Sequence, residues 1–175
     1  MLPTTENDRQ VLLGRTAVIA QRDGHAPPDP AGFLERYFQN VAMEDLVGRR
    51  PDDLAGLALS HRTAAAQRPQ GTAVVRVFTP TEDTVGWSTG HTVIEIVAAD
   101  VPFLVASVNG ELARLDCQIH LVIHPQFVVR RDLAGQMLEI LDLPPRAGAI
   151  RRCPGTRPSS PGSTWRSTGR STPTA

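Results

Sequence analysis

The spacing of apolar positions changes along the chain, and each change marks an element. Phe33, Leu34, Tyr37, Phe38 and Val41 recur at i, i+1, i+4, i+5 and i+8, one stripe of an amphipathic helix. Asp29 stands where an N-cap belongs, and Pro30 takes the first helical position. Pro51 opens a second helix, with Asp52 and Asp53 in the first turn complementing the helix dipole. Its stripe is Leu54, Leu57, Ala58, His61 and Ala65, and it ends before Arg68-Pro69-Gln70-Gly71. From Thr72 the period becomes extended. Thr72–Phe78 is rich in β-branched residues, residues 80–86 read as a connection, and Thr89–Ala98 alternates. Asp100 and Pro102 mark another helix start, with an apolar ridge of Leu104, Val108, Leu112 and Leu115. Small Ala106, Gly110 and Ala113 beside that ridge predict close approach to a sheet. Ile119–Ile123 and Phe127–Arg131 predict two more strands, and Gln136–Leu141 a weaker one after a turn at residues 132–135.

These elements divide the chain into four parts. Residues 1–28 hold one weakly apolar stretch, Val11 to Ala20, and read as a flexible, loosely attached leader. Residues 29–70 form a helical segment, 71–143 a β-rich domain, and 144–175 a tail. The expected class is α+β: a helical N-terminal segment followed by an antiparallel sheet with helices on one face.

Composition changes this picture in two places. The formal charge of zero averages unlike halves. Residues 1–143 carry all 18 acids and 12 arginines, a net of −6, whereas residues 144–175 carry six arginines and no acid, a net of +6. Pro, Gly, Ser and Thr make up 20 of those 32 tail residues, so the tail has too little apolar surface to offset the entropy of ordering and is expected to be disordered. The abrupt loss of acids after Asp142 suggests a frameshifted translation, and residues 164–172 can be encoded by a choice of codons that, read from one base earlier, gives an alternating, strand-like segment. The second change concerns chemistry. All 18 basic residues are arginine, so a Schiff base or a lysine phosphate cradle on this chain is excluded.

Little candidate chemistry remains. Cys117 sits in an apolar pattern and reads as a buried, reduced thiol, and with no membrane-length apolar run the cytoplasm is the expected location. His120 and His124 share a strand face, but Pro125 interrupts it and no third ligand follows, so no metal site is expected. His61 on its apolar stripe reads as a satisfied core or interface histidine, and Trp87 as an aromatic plug at a strand entrance. Nucleotide-binding and hydrolase motifs are missing, and the tail lacks the aromatic interleaving of a nucleic-acid binder. The strand-to-helix turn Asp100, Val101, Pro102, Phe103 is the candidate binding site, since backbone N–H groups at a helix start receive anions; an ordinary corner is the competing reading.

An ordered set of motifs carries a family resemblance. Tyr37-Phe38 and Asp45-Leu46 precede Arg68-Pro69-Gln70-Gly71-Thr72, Arg76-Val77-Phe78, Gly86-Trp87-Ser88 and Gly90-His91-Thr92-Val93. Pro102-Phe103-Leu104-Val105, Ser107-Val108, Ile119-His120-Leu121-Val122-Ile123-His124-Pro125 and Val128-Val129-Arg130-Arg131-Asp132 follow in order. Over residues 30–142 this resembles the N-terminal region of the very large bacterial NAD-specific glutamate dehydrogenases, which oxidatively deaminate L-glutamate to 2-oxoglutarate.

The resemblance implies that residues 91–132 are the front of an ACT-like, ferredoxin-like βαββαβ unit left incomplete. In such units small effectors, often amino acids, bind near the first strand–helix turn, here Asp100 to Phe103. The usual pattern favours a glycine there; this chain has Phe103 after Pro102, which fits a packing role equally well. The family's reaction relies on an active-site lysine, so catalytic, cofactor and metal residues are expected to be none in this chain, with NAD belonging to the parent enzyme. Expected partners are the remainder of the dehydrogenase polypeptide, or a second copy paired through the sheet edge. A stand-alone ACT-like sensing and dimerisation module is the alternative. An incomplete sheet with open edges further predicts marginal stability.

Overall fold

A computed structural model describes residues 6–143; the predicted disordered tail lies outside the described residues. Four helices come first: α1 (Glu6–Ala20), α2 (Pro30–Phe38), the single turn α3 (Met43–Leu46) and α4 (Pro51–Ala65). Then follow β1 (Val74–Phe78), the short α5 (Glu82–Val85), β2 (Val93–Val97), α6 (Leu104–Arg114), β3 (Val128–Arg131) and β4 (Met137–Leu141). The class is α+β, compatible with an incomplete ferredoxin-like ACT arrangement.

The expected caps and stripes account for the helical part. The Asp29 carboxylate accepts a hydrogen bond from the Gly32 N–H at 3.0 Å, with Pro30 at the first position of α2. Phe33, Leu34, Tyr37, Phe38 and Val41 are all buried, Leu54 and Ala58 of α4 join them in one core, and Leu57 is also buried.

The leader expected over residues 1–28 is corrected: α1 is built into the core. Leu13, Thr16, Ala17 and Ala20 are buried at i, i+3, i+4 and i+7, and α1 packs on α2 and α4. Apart from Leu13 the buried face is made of small residues, while Val11 and Val18 point outward, so hydrophobicity alone hides the periodicity. Thr16 is buried because its hydroxyl donates to the Leu12 carbonyl at 2.9 Å. The Arg9 guanidinium donates to the carbonyls of Val41 (3.0 Å) and Phe38 (2.5 Å), satisfying groups just where α2 ends.

The strands form two separate antiparallel pairs, β1–β2 and β3–β4, rather than one sheet. In the first pair Val75 faces Ile96, Arg76 faces Glu95 and Val77 faces Ile94. In the second, the ladder shifts register between Arg130 and Arg131 beside the 132–135 turn. The expected strand at Ile119–Ile123 is not one. Alternation holds from His120 to His124, since Leu121 and Ile123 pack against the helical core while His120, Val122 and His124 are exposed, but Ile119 is exposed too and, among the described residues, no strand edge lies alongside to complete a ladder. Phe127 extends this attachment by stacking on Phe33 at 5.4 Å, with the Arg36 guanidinium 5.6 Å from its ring centre.

Helix α6 likewise departs from expectation. None of its residues is buried, and a Cβ added at Gly110 would meet nothing within 4 Å, so its small residues do not accommodate a sheet. The inner face of β1–β2 is already taken by α4, and its outer face, with Val75, Val77 and Ile94, is exposed.

Close packing of glycine occurs in α4 instead. A Cβ on Gly56 would lie 2.2 Å from Cγ of Trp87, whose buried ring meets Phe78 edge-on at 6.2 Å. Trp87 is thus the aromatic plug its position suggested, seated on a helix backbone. Gly56→Ala gains about 1 kcal/mol of helix propensity but forces a rigid ring to move, a cost of about 1–3 kcal/mol. Net destabilisation is expected in urea titration, whereas Gly110→Ala should stabilise. The same sign for both variants would refute the packing argument.

Candidate functional site

The Asp100–Phe103 turn connects β2 to α6 and lies at the surface. Asp100, Val101, Pro102 and Phe103 are all exposed, Phe103 by 81%. Phe103 occupies the N-cap of α6 with φ +65°, in the left-handed region where a side chain is strained, and it supplies no capping hydrogen bond. The expected glycine position is therefore glycine-like in backbone but carries an exposed aromatic ring. Asp100 accepts a hydrogen bond from the Gln126 side chain at 3.5 Å, tying the turn to the segment before β3.

A more enclosed set of polar groups lies between α4 and the β1–β2 pair. The buried Tyr37 hydroxyl meets Nδ1 of His61 at 3.1 Å, and His61 Nε2 lies 3.3 Å from the Ile96 carbonyl. A carbonyl only accepts, so Nε2 carries the hydrogen and Nδ1 accepts from the tyrosine. Both nitrogens of a neutral imidazole are thereby used, as a satisfied interface histidine requires. Burial pushes the His61 pKa down; the Glu95 charge and the bond to Ile96 act against this, and Arg76 adds to it. Burial, with a smaller contribution from Glu95, raises the Tyr37 pKa well above the usual range, so the phenol stays protonated.

Glu95 completes this set. Its side chain is 2% exposed and lies 3.1 Å from Nη1 of Arg76, an ion pair without hydrogen-bond alignment: no protein donor is directed at either carboxylate oxygen. Arg76 also reaches the Ser60 carbonyl at 3.5 Å and lies over the Phe78 ring. The sequence offers one signal for Glu95, an acid on the same strand face as Val93 and Val97.

The remaining candidates are dispersed. His120 is exposed and stacks on His91 with ring centres 4.0 Å apart, so its neighbour is His91 rather than His124. Among the described residues no group of three His, Cys, Asp or Glu side chains is placed to hold a metal ion. Cys117, expected to be buried, is exposed, because the segment after α6 leaves the body there. Cys153 lies outside the described residues. An open cleft of about 350 Å³ lies between the α3–α4 loop and residues 88–89, lined by Arg49, Arg50, Asp53 and Leu57. Its charges are already engaged: Arg50 pairs with Glu82 at 2.5 Å, and Asp53 accepts from the Ser88 N–H at 2.9 Å. No helix among the described residues is long and apolar enough to cross a membrane.

The family model of the glutamate dehydrogenase ACT1 domain matches residues 33–153, more than half the chain. The chain belongs to this family. The ACT1 match begins within α2, at Phe33, runs past β4 and leaves α1 outside it. Relatives include the NAD-specific glutamate dehydrogenase of Pseudomonas aeruginosa (strain PAO1), 34% identical over 127 residues, which are 73% of this chain and 8% of that protein. The NAD-specific glutamate dehydrogenase of Halomonas elongata is 37% identical over 100 residues, 57% of this chain and 6% of that protein. The ACT1 chain thus spans under a tenth of the length of these curated relatives. No solved structure matches it.

Proposed function

We propose that this chain is a regulatory or structural N-terminal portion of an NAD-specific glutamate dehydrogenase and is not itself catalytic. The observation that carries the reading is the ACT1 match over residues 33–153 in a chain without lysine. In this reading NAD and the oxidative deamination of L-glutamate to 2-oxoglutarate belong to the remainder of the polypeptide. That remainder is the partner, and the cytoplasm is the location. The Asp100–Phe103 turn then serves as a contact: Val101 and Phe103 offer apolar surface that burial against a partner would stabilise. The purified chain is expected to give no glutamate-dependent reduction of NAD, and titration with L-amino acids is expected to give no saturable heat. Glutamate-dependent NAD reduction by the chain would overturn the reading.

The alternative, a free-standing ACT-like sensor that dimerises through its sheet, is supported by the uncovered outer face of β1–β2 and by the edges of that pair, which no further strand covers among the described residues. It requires a dimer in sedimentation at micromolar concentration. It also requires saturable amino-acid binding, an anion taken up at residues 100–103, lost on altering the turn.

A further inference from the structure

We propose that the seam between the helical body and the β1–β2 hairpin is an acid-opened latch, closed by the Tyr37–His61–Ile96 relay and the Arg76–Glu95 pair. Two consecutive residues of α4 hold the hairpin at this seam. The Ser60 carbonyl accepts from Arg76 at 3.5 Å, and His61 donates to the Ile96 carbonyl at 3.3 Å. Behind His61, the Tyr37 hydroxyl at 3.1 Å fixes the ring from α2. The relay therefore joins α2, α4 and β2 through one imidazole, and only a neutral imidazole leaves the Tyr37 hydroxyl hydrogen an acceptor at Nδ1.

A proton added at Nδ1 meets the hydrogen of the Tyr37 hydroxyl. The phenol, itself buried, would have to turn that hydrogen away from its acceptor. The charged groups facing His61 are Arg76 from β1 and Glu95 from β2, with Tyr37 from α2 neutral and the Ile96 carbonyl an acceptor. Glu95 favours the imidazolium and Arg76 opposes it; desolvation opposes it most. The undocked state thus binds a proton more readily than the docked one. By linkage, docking is complete above the ordinary histidine pKa of about 6.5 and weakens as pH falls below it, by up to tenfold per pH unit, levelling off below the docked-state value. Once undocked, the hairpin is a two-stranded pair with its outer face already in water, and such pairs are marginal alone. The helical core, closed by apolar contacts, does not share this dependence.

Amide hydrogen exchange on the full chain, corrected for intrinsic rates, tests the latch between pH 7.5 and pH 5. Protection at residues 74–78 and 93–97 is expected to fall below about pH 6.5, by up to tenfold per pH unit, while protection in α2 holds. The other four histidines are exposed, so His61→Gln, which keeps a donor and an acceptor but does not titrate, should flatten the response. Ring-proton NMR of the unmodified chain provides a second measurement should that variant misfold. His61 is expected to titrate below the other histidines, in step with the hairpin amides. Hairpin protection that does not change with pH, a full response in the folded His61→Gln variant, or a His61 titration uncoupled from the hairpin would each overturn the proposal.

Discussion

A chain lacking residues 1–20 is expected to lose cooperative thermal unfolding altogether. Helix α1 supplies Leu13, Thr16, Ala17 and Ala20 to the core and covers both α2 and α4. It also supplies the Arg9 guanidinium to the carbonyls of Phe38 and Val41. Hydrogen bonds from a charged donor contribute about 1.5–3 kcal/mol each, and each buried side chain adds to that. Small domains hold only about 5–15 kcal/mol in total. Removing α1 would leave Phe38 and Leu34, now fully buried, on an uncovered surface. Circular dichroism melting of the full and shortened chains, with dye binding to exposed apolar surface, measures the loss. An unchanged melting transition would show that α1 is the dispensable leader the sequence suggested. The consequence for the family is specific: the matched stretch begins at residue 33, so the body of this ACT1 chain depends on a helix outside it.

The core lies mainly in the helical segment, which explains what was legible in the sequence. α2 and α4 bury large side chains at helical spacing, with Asp29 and the prolines marking their starts, so pattern and structure agree. Besides Leu13, α1 buries alanines and a threonine, whose identity carries little hydrophobic signal, while its valines face water. The β-rich half shows the converse. Alternation marked β1, β2, β3 and β4, because each pairs with a sequence neighbour across a connection or turn. It also suggested a strand at Ile119–Ile123, where inward residues find the helical core but the backbone finds no ladder. Periodicity reports which side chains turn inward; strand pairing depends on what the rest of the chain puts alongside.

The same distinction applies to the candidate sites. His61 was legible as an interface histidine because it sits on the apolar stripe of α4, but neither of its partners is near in sequence: Tyr37 is 24 residues away and Ile96 is 35. Glu95 was hidden because an acid between two valines reads as one position of an ordinary alternation. Its burial follows from the choice of face, and α4 makes that choice. The Asp100–Phe103 turn was located correctly as a strand-to-helix corner, yet the left-handed backbone under an exposed phenylalanine could not be read from residue types.

Replacing Gly135 by alanine is expected to cost about 2–5 kcal/mol, from two separable sources. Gly135 has φ +90°, and an added Cβ would stand 2.5 Å from the backbone of Arg68 and Pro69. The glycine closes the turn between β3 and β4 through its N–H to the Asp132 carbonyl at 3.1 Å. Its carbonyl then accepts from the Arg68 N–H and from the Arg131 guanidinium, each at 2.9 Å. Beside it, the Met137 N–H donates to the Ala66 carbonyl at 2.7 Å, and the Gln67 side chain donates to the Ala134 carbonyl at 2.6 Å. These bonds fasten β3–β4 to the residues that follow α4. Left-handed backbone costs a non-glycine residue about 1–2 kcal/mol. The clash adds more, since backbone can yield only by separating the two segments, and each bond broken costs about 0.5–1.5 kcal/mol. Gly90 separates the two effects: its φ is +71° and nothing lies within 4 Å of an added Cβ, so Gly90→Ala carries the conformational cost alone. Urea titration should place Gly135→Ala well below Gly90→Ala in stability. Amide exchange should rise at Arg68 and Met137 only in Gly135→Ala. Equal losses in the two variants would mean that close approach of the turn to Arg68 and Pro69 contributes nothing to holding β3–β4 in place.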